Sequence, residues 1–183
     1  MSTPPTSPQL QLRLAFSDDC DAIRSLMQLA INELQKGFLT EAQIEASSEG
    51  MGIDRQLIED GTYFTVWSGH VLVGCGGWSY RARRYGGDKN DVTNIRRLDP
   101  VTERARIRAM YTHPHYVRQG IGRMVIDAAE SAARAAGFGA CELVATMSGM
   151  PLYLKCGYNI ESEWFDENGA VRVPVATMTK PLT

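Results

Sequence analysis

Two hydrophobic periods alternate along this chain, and the switches between them mark the elements. Residues 11–16, "QLRLAF", alternate one by one, the period of a strand. Ser17 then stands where a helix cap belongs. Ile23, Leu26, Met27, Ala30 and Leu34 recur at helical spacing and form one apolar face, with Gly37 as the stop. Thr40-Glu41-Ala42-Gln43 has the form of a capping box and predicts a second helix. "DRQLIEDG" predicts a short third helix closed by Gly61. "TYFTVW" and "VLVGCGGWSY" flank Ser68-Gly69-His70 and read as a β-hairpin.

In the second half, "RARIRAMYTHP" alternates as a strand and ends at Pro114. A turn containing Gly120 and Gly122 leads into an Ala-rich helix over residues 120–136. Its predicted buried side is Ile121, Val125, Ala128, Ala129, Ala132 and Ala136, and Gly137 stops it. Glu130 and Arg134 have the i,i+4 spacing of an exposed pair. "ACELVAT" predicts a strand and "GMPLYLK" a short helix with Pro151 in its first turn. "YNIESEWF" and "VRVPVATM", on either side of a "DENG" turn, close the chain as a hairpin. Residues 81–103 form a polar stretch, long for a connection inside a compact domain, and such loops are often functional or mobile. No internal repeat is visible. Strands flanked by helices in this order predict an α/β fold with one mixed sheet.

Composition narrows the function classes. A chain of 183 residues, 44% hydrophobic and 22% charged, suits one globular domain, here residues 10–183 behind a flexible Pro/Ser/Thr-rich tail over 1–9. A formal charge of -2 gives no overall field toward nucleic acid or an anionic membrane. Locally, residues 81–108 carry nine Arg/Lys against four acids (Asp88, Asp91, Asp99, Glu103). Cys20, Cys75, Cys141 and Cys156 include no CxxC pair and read as small buried hydrophobes in a reducing compartment, with no disulfide frame or zinc site. The N-terminal residues lack a signal-peptide pattern, and no apolar run approaches the ~18 residues that span a bilayer. The expected location is cytoplasmic.

The candidate chemistry lies at Arg118-Gln119-Gly120-Ile121-Gly122-Arg123, immediately before the Ala-rich helix. Helix N-termini leave backbone N–H groups unpaired and carry about +0.5 of an elementary charge. Glycines there let an anion sit directly on the amides, and Arg118 and Arg123 add side-chain charge. A merely tight strand-to-helix turn would need the same glycines. A dinucleotide fingerprint would need a third glycine where Val125 stands, and no Gly-Lys-Ser/Thr P-loop is present.

"IRAMYTHPHYVRQGIGRMVIDAAESAARAAGF" followed by "LVATMSGMPLYLKCGY" resembles the acetyl-CoA signature of the GNAT N-acetyltransferase superfamily over residues 104–158. The order of the preceding elements is similar too. The resemblance implies a central mixed sheet of six to seven strands with about four helices, and two strands splayed to form a coenzyme A cleft. It implies that Met110, Tyr111 and Thr112 pair with the pantetheine arm. The amides of Val117, Arg118, Gln119, Gly120, Ile121, Gly122 and Arg123 would grip the diphosphate. In the family pattern Arg/Gln-x-x-Gly-x-Gly/Ala the first position here holds Val117, with Arg118 one place later. "LYLKCGY" is similar to the family's "FYEKLGF", which makes Tyr153 the residue that protonates the departing thiolate.

The family's usual glutamate base falls on Arg106, and a guanidinium does not accept a proton. Glu103, Glu142 and Asp91 are the candidate bases, against a solvated surface role. His113 and His115 read as loop-shaping residues. The implied reaction is direct attack by a neutral amine on the thioester carbonyl of acetyl-CoA, polarised by strand N–H groups, with no metal. Residues 34–60 and 81–103 are the candidate acceptor walls. There Arg81, Arg83, Arg84, Arg96 and Arg97 would either attract an acidic acceptor or pair with Asp88, Asp91 and Asp99. Trp67, Trp78 and Trp164 read as packing residues. The partner class is a small-molecule or peptide amine, with no nucleic acid, no membrane, and a possible homodimer. Two other classes compete: an acetyl-CoA-binding regulator without transferase activity, and a nucleic-acid binder using the basic stretch, which lacks aromatic interleaving.

Overall fold

The structure, a computed structural model, describes residues 9–83, 95–167 and 169–183. The expected tail lies outside these residues except for position 9, as do Arg84, Asp88 and Asp91. The elements are β1 (Leu10–Leu14), α1 (Cys20–Leu34), α2 (Glu41–Gly50), α3 (Arg55–Glu59), β2 (Tyr63–Ser68), β3 (Val71–Ser79) and β4 (Ala105–Thr112). They continue with α4 (Ile121–Ala135), β5 (Ala140–Thr146), α5 (Met150–Lys155), β6 (Asn159–Asp166) and β7 (Val173–Pro181). Seven strands form one sheet in the order β1-β2-β3-β4-β5-β7-β6. Every neighbouring pair is antiparallel except β4 and β5, which are parallel. This is the mixed α/β fold the element order predicts, with five helices where about four were expected.

The two faces of the sheet are covered by different helices. Ile23 and Leu26 of α1 pack with Leu57, Tyr63, Leu72 and Cys75. Ile121 and Val125 of α4 pack with Val66 and Val73. The main core lies further along α4, where Ile126, Ala129 and Ala133 meet Ile107, Cys141, Leu143 and Met178.

Several local expectations change in three dimensions. The capping box at Thr40 forms, with Gln43 N donating to Thr40 Oγ1 at 3.3 Å and Thr40 N to Gln43 Oε1 at 3.0 Å. The residue at the N-cap of α1 is Asp19, not Ser17, and its carboxylate bonds no α1 amide: it accepts from Phe16 N at 2.8 Å and is clasped by Arg13 at 2.7 and 2.8 Å. Leu12 and Leu14 alternate as a strand should, yet both are exposed, because β1 is an edge strand. In α4 the buried stripe is Ile121, Val125, Ile126, Ala129, Glu130 and Ala133, in place of Ala128, Ala132 and Ala136. In an Ala-rich run alanine does not mark a face, and the bulky residues decide it. Glu130 is buried and bonded to Lys180 of β7 at 2.6 Å, so it makes no exposed pair with Arg134.

The polar stretch is tied down at both ends. Arg81 and Arg97 form an isolated antiparallel bridge, supported by Ala82 N to Arg96 O at 3.0 Å and Leu98 N to Tyr80 O at 2.7 Å. Its arginines have partners the sequence did not suggest. Arg81 forms a two-point bond with Asp60 at 2.7 and 2.8 Å, Arg96 does the same with Glu103 at 2.7 and 2.6 Å, and Arg97 stacks over Tyr80.

Candidate active site

β4 and β5 run side by side for only two residue pairs, Ala105↔Cys141 and Arg106↔Glu142. Beyond them the strands part, while β4 stays on β3 and β5 stays on β7. The wedge between them opens a cleft of about 830 Å³. Ile107–Thr112 of β4 line one wall, Val144 and Thr146 of β5 the other, and α5 and the loop before α4 close one end. Backbone groups on the open edge of β4 thereby lack a strand partner, which a bound extended chain can supply.

β4 is also bulged inside this cleft. Its register against β3 slips between Tyr111↔Cys75 and Arg108↔Gly77, so Ala109 and Met110 together face Gly76. Ala109 takes the left-handed conformation with φ 53°, uncommon for a residue with a Cβ. A Cβ at position 76 would lie 3.0 Å from Val125 and against Met110 Sδ, so glycine is what admits the bulge. Three contacts fix it. The Tyr63 hydroxyl lies 3.1 Å from Ala109 O and 3.2 Å from Cys75 Sγ. Arg108 and Asp54, with side chains 5% and 2% exposed, form an ion pair at 2.6 Å. The Tyr111 hydroxyl donates to Met51 Sδ at 2.8 Å. Residues 51–54, between α2 and α3, thus grip β4 on both sides of the bulge. Burial first of all pushes the Tyr63 and Tyr111 hydroxyls well above the ordinary phenol and the Cys75 thiol up to about 12, so all three stay protonated.

At the α4 end, Arg118 (φ 65°) and Gly120 (φ 82°) are both left-handed, with Gln119 between them. Such alternation curls a loop and turns successive amides inward. Met124 N to Gly120 O, 2.9 Å, is the first bond of α4, which leaves the N–H groups ahead of it for a ligand. Nothing lies within 4 Å of where a Gly120 Cβ would be, so the loop is open there. Gly122 has another reason: its Cβ would come 2.6 Å from a Leu152 methyl, so this glycine lets α5 approach α4 rather than an anion approach the backbone. Arg118, Arg123 and Lys155 line this end, and Arg123 Nη2 donates to Lys155 O at 2.7 Å. Bare amides, a helix N-terminus and three cations suit a diphosphate. Of the ten residues expected to bind cofactor, all but Gln119 line the cleft.

Tyr153 lines the cleft from α5. It is 7% exposed, and its ring meets Tyr158 edge-on at 6.0 Å. Burial, then the neighbouring Cys156, raises its hydroxyl above the ordinary phenol. His113 Nδ1 accepts from His115 N at 3.2 Å, which shapes the turn before the loop. The candidate bases lie elsewhere. Glu142 is bonded to Arg106 at 2.5 Å and to Arg104 at 3.3 Å at the root of the splay. Glu103 is held at about 2 by the hydrogen bonds of Arg96. Neither lines the cleft, and Asp91 lies outside the described residues. Trp78 is core, packed on Tyr80 and Phe138, while Trp67 lies under Arg13 and Trp164 donates to Thr177 at 3.0 Å. Met51 and Asp54 fall in the 34–60 stretch expected to wall the acceptor, but their bonds to Tyr111 and Arg108 were not anticipated: residues 51–54 carry no motif, and only the fold sets them beside β4.

Among the described residues no helix is long and apolar enough to cross a membrane, and no group of three His, Cys, Asp or Glu is placed to hold a metal ion. The structure is similar to a GCN5-related N-acetyltransferase from Rhodopseudomonas palustris, with 20% identity over 99% of both chains and a TM-score of 0.67. PaiA N-acetyltransferase from Thermoplasma acidophilum, solved in complex with coenzyme A, has 15% identity, a TM-score of 0.64, and coverage of 94% of this chain and 99% of its own. yncA, a putative acetyltransferase from Salmonella typhimurium with its cofactor acetyl-CoA, has 17% identity, a TM-score of 0.60, and coverage of 96% and 95%. No curated protein sequence matches significantly. The profile of the acetyltransferase (GNAT) family matches residues 23–158. With that match over most of its length, and with the splayed sheet and glycine loop in place, the chain belongs to the GNAT family of acetyl-CoA-dependent acyltransferases.

Proposed function

We propose that this chain transfers the acetyl group of acetyl-CoA to a primary amine by direct attack, with both substrates in the cleft together. The observation that carries the reading is the splay of β4 from β5, which runs one open edge from the α4 loop to Tyr153. Acetyl-CoA supplies an acetyl group activated as a thioester. The amides of residues 117–123 hold its diphosphate, and the open edge at Met110–Thr112 pairs with the pantetheine arm. Main-chain N–H groups at the bulge polarise the carbonyl. As the amine nitrogen bonds to the acetyl carbon, the carbon–sulfur bond breaks and Tyr153 gives its proton to the sulfur. The proton shed by the amine passes through water to the tyrosinate and restores Tyr153. Burial suits Tyr153 to this task, because a raised pKa keeps it a donor throughout the neutral range. Arg106 at the usual base position is engaged by Glu142, which keeps the non-catalytic acetyl-CoA binder as the second reading.

The test combines calorimetry with acetyl-CoA and a thiol-release assay over an amine panel. Binding plus amine-dependent release, with intersecting initial-rate lines, supports transfer in a ternary complex. Parallel lines refute direct attack, and binding without release favours the regulator.

A further inference from the structure

Of the five arginines expected either to attract an acidic acceptor or to pair with loop acids, three are committed elsewhere: Arg81 to Asp60, Arg96 to Glu103, and Arg97 to the face of Tyr80, none of them lining the cleft; Arg83 does not line it either, and Arg84 lies outside the described residues. At the end of the cleft away from the α4 loop, the one described cationic side chain is Arg108, held by Asp54. The surrounding walls are largely apolar, with Gln35, Ser47 and Ser148 as polar members. Ile31 and Leu34 come from α1, Ala46 from α2, and Val173 and Val175 from β7, with half-exposed Phe38 at the rim. The other charged residues lining this end are the acids Glu49 and Asp166.

A carboxylate entering this end meets one described cation, Arg108, already engaged by Asp54, and apolar walls that strip its water, whereas an uncharged apolar body loses nothing there. Apolar walls then act on the amine itself. Desolvation disfavours its charged form and lowers its pKa, so entry delivers the neutral nucleophile that direct attack requires. The pocket thereby does part of the work that the missing glutamate does elsewhere. Size is bounded as well, since the 830 Å³ must also take the reactive end of the coenzyme. We infer that the acceptor is a small primary amine on an uncharged apolar body, an aralkylamine or alkylamine, and that amines bearing a carboxylate or many hydroxyls are discriminated against. This rests on the transferase reading above.

The experiment measures kcat/KM with acetyl-CoA for 2-phenylethylamine, for phenylalanine (the same body with a carboxylate), for glucosamine and for a short peptide with a free N-terminus. Acetyl-CoA affinity is followed in parallel by calorimetry. Phenylethylamine is expected to exceed the other three by about tenfold or more. Leu34→Asp is expected to lower its kcat/KM about tenfold and leave acetyl-CoA affinity unchanged. Asp54→Asn takes the carboxylate charge away from Arg108 and is expected to shift preference toward phenylalanine. If that variant fails to fold, the panel and Leu34→Asp decide alone. Equal or better use of phenylalanine, glucosamine or peptide overturns the inference. So does acetyl-CoA binding with no turnover of phenylethylamine, which leaves the cofactor site intact. Absence of acetyl-CoA binding removes the transferase reading first, and the acceptor class with it.

Discussion

At the α4 end of the cleft the binding groups are main-chain amides and exposed cations. At the α1–α2 end they are apolar side chains around an ion pair with almost no exposed surface. The amides of the first end come from one stretch of chain: two left-handed residues, Arg118 and Gly120, and the start of the helix that follows, joined by Lys155 of α5. The second is assembled from α1, the 51–54 segment, β4 and β7, which meet only in the folded molecule. A charged, flexible cofactor tail needs only amides pointing one way, which local backbone conformation provides. An amine acceptor has to be sized, oriented and stripped of water, and that takes walls from several directions.

The most damaging change to this contrast is Gly120→Glu. It puts a Cβ on a left-handed residue and a negative charge where the diphosphate sits, and calorimetry is expected to show no heat with acetyl-CoA. Retained binding would mean the loop is not the phosphate end. Tyr153→Phe, at the point where the two ends meet, is expected to lower kcat by about 10²–10⁴-fold with acetyl-CoA affinity unchanged. The wild-type pH profile sharpens this. With Tyr153 as the proposed proton donor and its pKa raised by burial, kcat is expected to hold as pH rises and to fall only above about pH 10. An alkaline fall near pH 8 that Tyr153→Phe does not alter would remove the tyrosine from that step.

Gly122→Ala separates the two glycines. The added methyl meets Leu152, so a loss of stability of about 1–3 kcal/mol is expected in thermal melts, with acetyl-CoA affinity nearly unchanged. A large loss of affinity would return Gly122 to the phosphate site. Arg118→Ala is the mildest. Its charge is solvent-facing, so about 1 kcal/mol or less of acetyl-CoA affinity is expected to go, with a shallower dependence on salt.

Much of this molecule is local and therefore legible in the chain. Alternation set the strands, the Thr40–Gln43 box set the start of α2, and the two glycine-bearing motifs in order pointed to the coenzyme cleft. Each of those features depends on residues within a few positions of one another. Where the reading failed, the missing information was a distant partner. Glu130 read as exposed because nothing near it in sequence announces Lys180, and Arg81 read as a partner for the acids of its own loop because nothing announces Asp60, 21 positions away. The alanines of α4 misled for a related reason: a methyl group fits either face, and only the sheet beneath chooses.

The sequence by itself therefore determined the elements, the family likeness and the glycine turn ahead of α4, because hydrophobic period, capping and left-handed glycine act over one or two turns of chain. Tertiary structure alone decided that β4 leaves β5 after Arg106, that residues 51–54 hold the bulge through Asp54 and Met51, and that apolar side chains of α1, α2 and β7 meet at one end of the cleft. Those are statements about which surfaces meet, and ion pairs and packing between remote segments acquire their energies only once the chain has closed on itself.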